Sequence, residues 1–231
     1  MLFHDIWTTI RITIIPYLLL LLCLAAMGLL LFLNPMARES AGSVILFVVL
    51  AVIIATLVGS WVAVSWHRYG LLNERPGALL PVWDGALVWL YVKAALRLIL
   101  VSLIVIILPI MVLAAGVASS GGTPQSVALY QYIIVIPASF VLYRVAVILP
   151  AAAMNKPLTL RDAWLHTRGS TLALVPFLVL QFVLSFVAEG LVAPPVVKAS
   201  VQVLVGYFNL LIGLSVLTTL YGHFIEKREL R

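Results

Sequence analysis

Apolar residues run along this chain in six long stretches that show neither the period-two alternation of a half-buried strand nor the polar face of a surface helix. They fall at about Ile12–Leu33, Ser43–Val64, Leu98–Ala118, Ser126–Leu149, Thr171–Glu189 and Ala199–Tyr221. A helix rising ~1.5 Å per residue needs about 20 such residues to cross ~30 Å of hydrocarbon. In lipid every backbone N–H and C=O must pair internally, so runs of this kind are helices, and the alternation of a membrane barrel is absent. The pattern predicts an all-α integral membrane protein, with a single six-helix transmembrane domain over residues 1–231.

Composition agrees, since 64% of residues are hydrophobic and 10% charged, against about 45–50% apolar and roughly 25% charged in soluble domains. Arg11 ahead of the first run, with Ala25 and Ala26 inside it, imitates a signal peptide. The run continues through "MGLLLFL", longer than an h-region, so the expectation is a retained anchor. Cys23, the lone cysteine, lies inside that run and reads as a packing residue, not part of a disulfide or metal framework.

The net charge is +6. In a soluble protein that would point to nucleic acid; here its placement matters more. Arg11, Arg68, Arg75, Lys93, Arg97, Arg144, Lys156, Arg161, Arg168, Lys227, Arg228 and Arg231 fall on one side of the spans, and only Arg38 and Lys198 on the other. Because basic loops resist translocation, this split predicts both termini in the cytoplasm of a multi-pass protein of the bacterial inner membrane. The connections on the far side, "NPMARES", "SSGGTP" and "LVAPPVVK", are short and turn-like. Trp7, Trp61, Trp66, Trp83, Trp89 and Trp164 all fall near the basic face, where indole N–H groups meet headgroups. Such a face suits the anionic lipids of the inner leaflet, at roughly 1 kcal/mol per nearby Lys or Arg.

Displaced by 81 residues, "NERPGALLPVW" aligns with "MNKPLTLRDAW", matching Pro76 with Pro157, Leu79 with Leu160 and Trp83 with Trp164. This is a possible parallel internal repeat, each copy reading as a short interfacial helix. In the second copy Thr159 caps, with Asp162 completing an approximate capping box, and Leu160, Ala163, Trp164 and Thr167 share one face. Arg161, Asp162, His166 and Arg168 project toward headgroups, with Asp162 and His166 spaced to pair. Gly169 permits the turn into the fifth span. Arg68, Arg144, Arg161, His166 and Arg168 are therefore candidate headgroup contacts, Arg144 by snorkelling or by gripping a lipid phosphate.

The stretch "RVAVILPAAAMNKPLTLRDAWLHTRGSTLALV" (Arg144–Val175) resembles a segment of the YciC-like six-span inner-membrane proteins, and of the membrane domain attached to some glycerophosphodiester phosphodiesterases. In both a Leu-Pro element precedes an Ala-Trp-x-x-Thr-x-Gly elbow, here Ala163, Trp164, Thr167 and Gly169. The resemblance implies the six-span architecture and supplies no activity.

Polar residues inside the bilayer are costly and are candidate functional groups. Gln181, Ser185 and Glu189 recur every four residues on the fifth span, and Gln202, Gly206, Asn209 and Gly213 form a seam on the sixth. Two readings stand open: helix adhesion, with Lys198 as a simple partner for Glu189, or a polar pathway between spans five and six. Pro16, Pro109, Pro137 and Pro176 interrupt four spans.

Reaction motifs are missing: no P-loop, Rossmann fingerprint or H-E-x-x-H pair, and no nucleophile elbow in "ASSGGT". The expectation is no enzyme, no cofactor, no metal and no nucleic acid. It favours a non-catalytic scaffold, regulatory or accessory membrane component with a membrane-protein partner or in a homo-oligomer. A small carrier or lipid-handling protein is the alternative. A lipid enzyme acting through His166, Arg161 or Arg168 is a third reading.

Overall fold

The computed structural model describes residues 6–77, 79–121, 124–190, 192 and 194–229, and the side chains of 6 and 124–133 are not among those described. Among the described residues no strand forms. Six helices are long and apolar enough to cross a membrane, so this is an all-α, multi-pass membrane protein. In chain order the helices are α1 (Trp7–Leu33), α2 (Pro35–Glu39), α3 (Ala41–Leu72), α4 (Gly85–Ser119), α5 (Pro124–Val145), α6 (Ile148–Ala153), α7 (Leu160–His166), α8 (Thr171–Gly190) and α9 (Pro195–Ile225). Spans one, two, three, five and six are α1, α3, α4, α8 and α9; span four runs through α5 and α6.

Local chemistry sets most boundaries. Asn34 accepts from the Ala37 N–H at 3.2 Å ahead of α2, and Ser40 accepts from Ser43 at 3.4 Å ahead of α3. Asp84 caps α4 through the N–H groups of Ala86 and Leu87. At the other end of α3, Asn73 turns left-handed at φ 57°. Among the described residues one π-helical turn, Tyr221–Ile225, ends α9, and two more, Ile10–Ile14 and Leu103–Ile107, lie within the first and third spans. Pro16 and Pro109 follow just after the latter two, and the carbonyls their rings would strike, four residues back at Ile12 and Val105, lie inside these turns. A π turn widens the helix there.

The third span starts at Gly85, well before the expected Leu98, so Trp89, Lys93 and Arg97 are helical. The first repeat copy also departs from expectation. Its described residues from 73 to 84 form no helix, because Pro76, Gly77 and Pro81 interrupt every turn that could start. The second copy does form its helix, α7. The two copies therefore fold differently.

Two compact units form, Met1–Val92 with Ala152–Lys156, and Lys93–Ala151 with Pro157–Arg231. The most hydrophobic windows of α3 and α4 have no buried residue, as expected where the solvent is itself apolar and hydrophobicity does not drive helices together. Burial gathers instead in the halves of spans beside the basic connections: Val62–Val64, Trp66 and His67 in α3, Leu87–Val88 in α4, and Val145–Met154.

One tryptophan contradicts the headgroup reading. Trp66 is 2% exposed and its Nε1 has no hydrogen-bond partner. Trp7, Trp83 and Trp89 are exposed, and Trp61 donates to the Val82 carbonyl at 3.2 Å while meeting Trp83 edge-on.

Candidate functional site: a lateral cleft and a clamped elbow

The elbow is built around Arg144. Its guanidinium lies 3.6 Å over the Trp164 ring, donates to the Trp164 carbonyl at 2.8 Å and reaches Thr167 Oγ1 at 3.4 Å. Thr167, fully buried, has its hydroxyl within 2.8 Å of the Ala163 carbonyl and 3.3 Å of the Arg144 carbonyl. Ser170, also fully buried, donates to the Thr167 carbonyl and accepts the first turn of α8 through Leu174 N–H. A helix cap is present too: Thr159 accepts from Asp162 N–H and donates to its carboxylate. So Arg144, expected at the headgroups, binds α7 to the end of α5.

The other predicted headgroup contacts divide. Arg161, His166 and Arg168 are exposed. His166 donates Nδ1–H to the backbone carbonyl of Asp162 at 2.7 Å, not to its carboxylate, which Thr159 occupies. Arg68 is committed to a two-pronged ion pair with Glu74 and donates to the Ala153 carbonyl at 3.2 Å. It borders a cavity of about 190 Å³ with Glu74, Arg75 and Asp84.

Gly169 closes the elbow at φ +90°, with nothing within 4 Å of where a Cβ would stand. Gly169→Ala therefore meets no clash, only an unfavourable backbone. Its expected cost is about 1–2 kcal/mol, read as a lower unfolding midpoint in mixed micelles.

The polar stripe of α8 lines a lateral cleft of about 730 Å³. Gln181, Ser185 and Glu189 all border it, as the four-residue spacing requires. The site was expected between spans five and six; span four joins it, α5 contributing Val135, Ile136 and Ser139 while α9 contributes Asn209. Gln202 is exposed but lies outside the lining. The seam of α9 is open at Gly206, where a Cβ would meet nothing within 4 Å, and packed at Gly213, where a Cβ would stand 3.8 Å from the Tyr143 hydroxyl.

The deep end of the cleft is satisfied internally. Tyr143 donates to Gln181 Oε1 at 3.0 Å and meets Phe177 edge-on with centroids 4.8 Å apart; Ser139 closes on the Val135 carbonyl at 2.7 Å. Gln181 is thus an adhesion residue joining spans four and five. Tyr143 and Ser139 were missed by the sequence reading, although their four-residue spacing places them on one face of α5. Gln181→Leu should cost about 0.6–2 kcal/mol and Tyr143→Phe little beyond that in the Gln181→Leu background, a coupling that a double-mutant cycle measures.

No family model, curated protein or solved structure matches the chain. The remaining polar groups of the cleft must therefore be judged by their surroundings alone.

Those groups are not satisfied. Ser185 and the Glu189 carboxylate are exposed, and among the described residues neither has a hydrogen-bond or ionic partner. Lys198, the expected partner of Glu189, donates instead to the Glu189 backbone carbonyl at 2.9 Å. Asn209 Oδ1 is buried without a partner.

Proposed function

We propose that this is a non-catalytic membrane protein whose work is to bind another membrane constituent in the α5/α8/α9 cleft, as an accessory or regulatory component. The single observation that carries this reading is the exposure of Ser185 and Glu189, without partners among the described residues, on a wall that is apolar apart from them and Ser139, Gln181 and Asn209. Polar groups facing hydrocarbon are expensive and persist where something pairs with them. A carrier would use the same cleft, since it opens sideways toward lipid.

The protein sits in a bacterial inner membrane with both termini cytoplasmic, a placement supported by twelve Lys and Arg on one side of the spans against two on the other. Anionic lipids gather at that basic face through exposed side chains such as Arg161 and Arg168. The Ala-Trp-x-x-Thr-x-Gly elbow supports membership of the YciC-like group, and the Arg144 clamp gives that motif a physical role.

The test separates adhesion from binding. Gln181 holds the fold, so the informative variant is Ser185→Leu/Glu189→Leu, which touches no internal bond. Extracted with its native surroundings, the double variant should keep the wild-type unfolding midpoint within ~0.5 kcal/mol equivalent while losing one defined co-purifying constituent. Identical co-purifying species in both forms would refute the reading.

A further inference from the structure

The cleft's mouth and wall together specify a class of occupant. At the mouth stands the exposed Glu189 carboxylate, and beside it, outside the lining itself, the Lys198 ammonium is held by its 2.9 Å bond to the Glu189 carbonyl. The two side chains do not neutralise each other: no ion pair joins Glu189 and Lys198. One turn deeper, about 6 Å along the axis at ~1.5 Å per residue, is the exposed hydroxyl of Ser185. Beyond it Gln181 and Ser139 are engaged internally, and Phe182, Val183, Phe186 and Ile136 offer an apolar track.

We propose that the cleft binds one zwitterionic phospholipid carrying a primary amine, drawn from the leaflet opposite the basic connections. Its ammonium rests on Glu189, its phosphate on Lys198, an ester carbonyl on the Ser185 hydroxyl, and one acyl chain along Phe182 and Phe186. This rests on the reading of the cleft as the protein's working surface and names what fills it. A volume of about 730 Å³ falls in the ~300–1,000 Å³ range of ligand pockets. Phe186 and Val183 are exposed, so a lipid enters from the bilayer without crossing water.

Charge selects among occupants. An anionic headgroup would bring its phosphate to Lys198 but leave the Glu189 carboxylate without a cation. A basic residue from a partner helix would pair with Glu189 but leave Lys198 facing like charge. A zwitterion matches both groups, and a primary ammonium also donates hydrogen bonds that a quaternary one cannot.

The experiment uses the full chain, stripped of lipid and returned to nanodiscs of phosphatidylethanolamine with phosphatidylglycerol or phosphatidylcholine, with bound lipid counted by native mass spectrometry. Wild type should retain one phosphatidylethanolamine per chain. Glu189→Gln and Lys198→Met should each lower that occupancy about tenfold, the equivalent of one charge-assisted bond, and Glu189→Gln, which touches no internal bond, should do so with an unchanged unfolding midpoint. Equal retention of phosphatidylglycerol or phosphatidylcholine would overturn the headgroup assignment. So would a protein segment lost on Ser185→Leu/Glu189→Leu, though the cleft would still be the binding surface. No species lost from that double variant would overturn both.

Discussion

Arg144→Ala should destabilise the protein by about 2–4 kcal/mol, the largest effect expected of any single charged residue. The figure combines a stacked cation over Trp164, at about 0.5–2 kcal/mol, with hydrogen bonds from a charged donor, at about 1.5–3 kcal/mol each before overlap. Removing the guanidinium also takes a donor from Thr167 Oγ1 and from the Trp164 carbonyl. Arg144→Lys should recover less than half of the loss, because an ammonium cannot stack flat on indole while reaching both oxygens. Unfolding in mixed micelles measures both variants. A snorkelling arginine facing only headgroups would show a change under ~0.5 kcal/mol, and that result would remove the clamp from this account.

Trp66 carries the second large effect, and its two variants should differ sharply in size. Trp66→Ala empties a site only 2% exposed and should cost about 3–5 kcal/mol. Trp66→Phe keeps much of the apolar volume and deletes an indole N–H that has no acceptor. In a medium without water an unpaired donor is a standing cost, so Trp66→Phe should be near neutral, within about 1 kcal/mol. An indole hydrogen-bonded at the headgroups would behave otherwise: Trp66→Ala would then be mild.

What the sequence revealed and what it hid follow from the range of each interaction. Six spans were legible because an apolar run of bilayer length is a property of one segment. The elbow was legible for the same reason: Thr159 with Asp162 and the left-handed turn at Gly169 are local devices. The first repeat copy was misread because matching Pro76, Leu79 and Trp83 to their counterparts outweighed Gly77 and Pro81, which break a helix there. Trp66 looked like its neighbours because which face of α3 is buried depends on helices distant in sequence. The Arg144 clamp joins residues 20 apart, and the Tyr143–Gln181 bond joins residues 38 apart. Neither leaves a periodic trace. The four-residue stripe of α8 did mark the cleft, but only the structure divides it into Gln181, which holds helices, and Ser185 and Glu189, which face outward.

The central claim is that the α5/α8/α9 cleft holds a specific constituent of the membrane. Its most direct test is a photo-crosslinking amino acid placed in cells at Val183, on the cleft wall, and at Leu100, exposed on α4. The account predicts one dominant adduct at Val183, lost when Ser185→Leu/Glu189→Leu is added, and a diffuse lipid background at Leu100. The same diffuse background at both positions would contradict it.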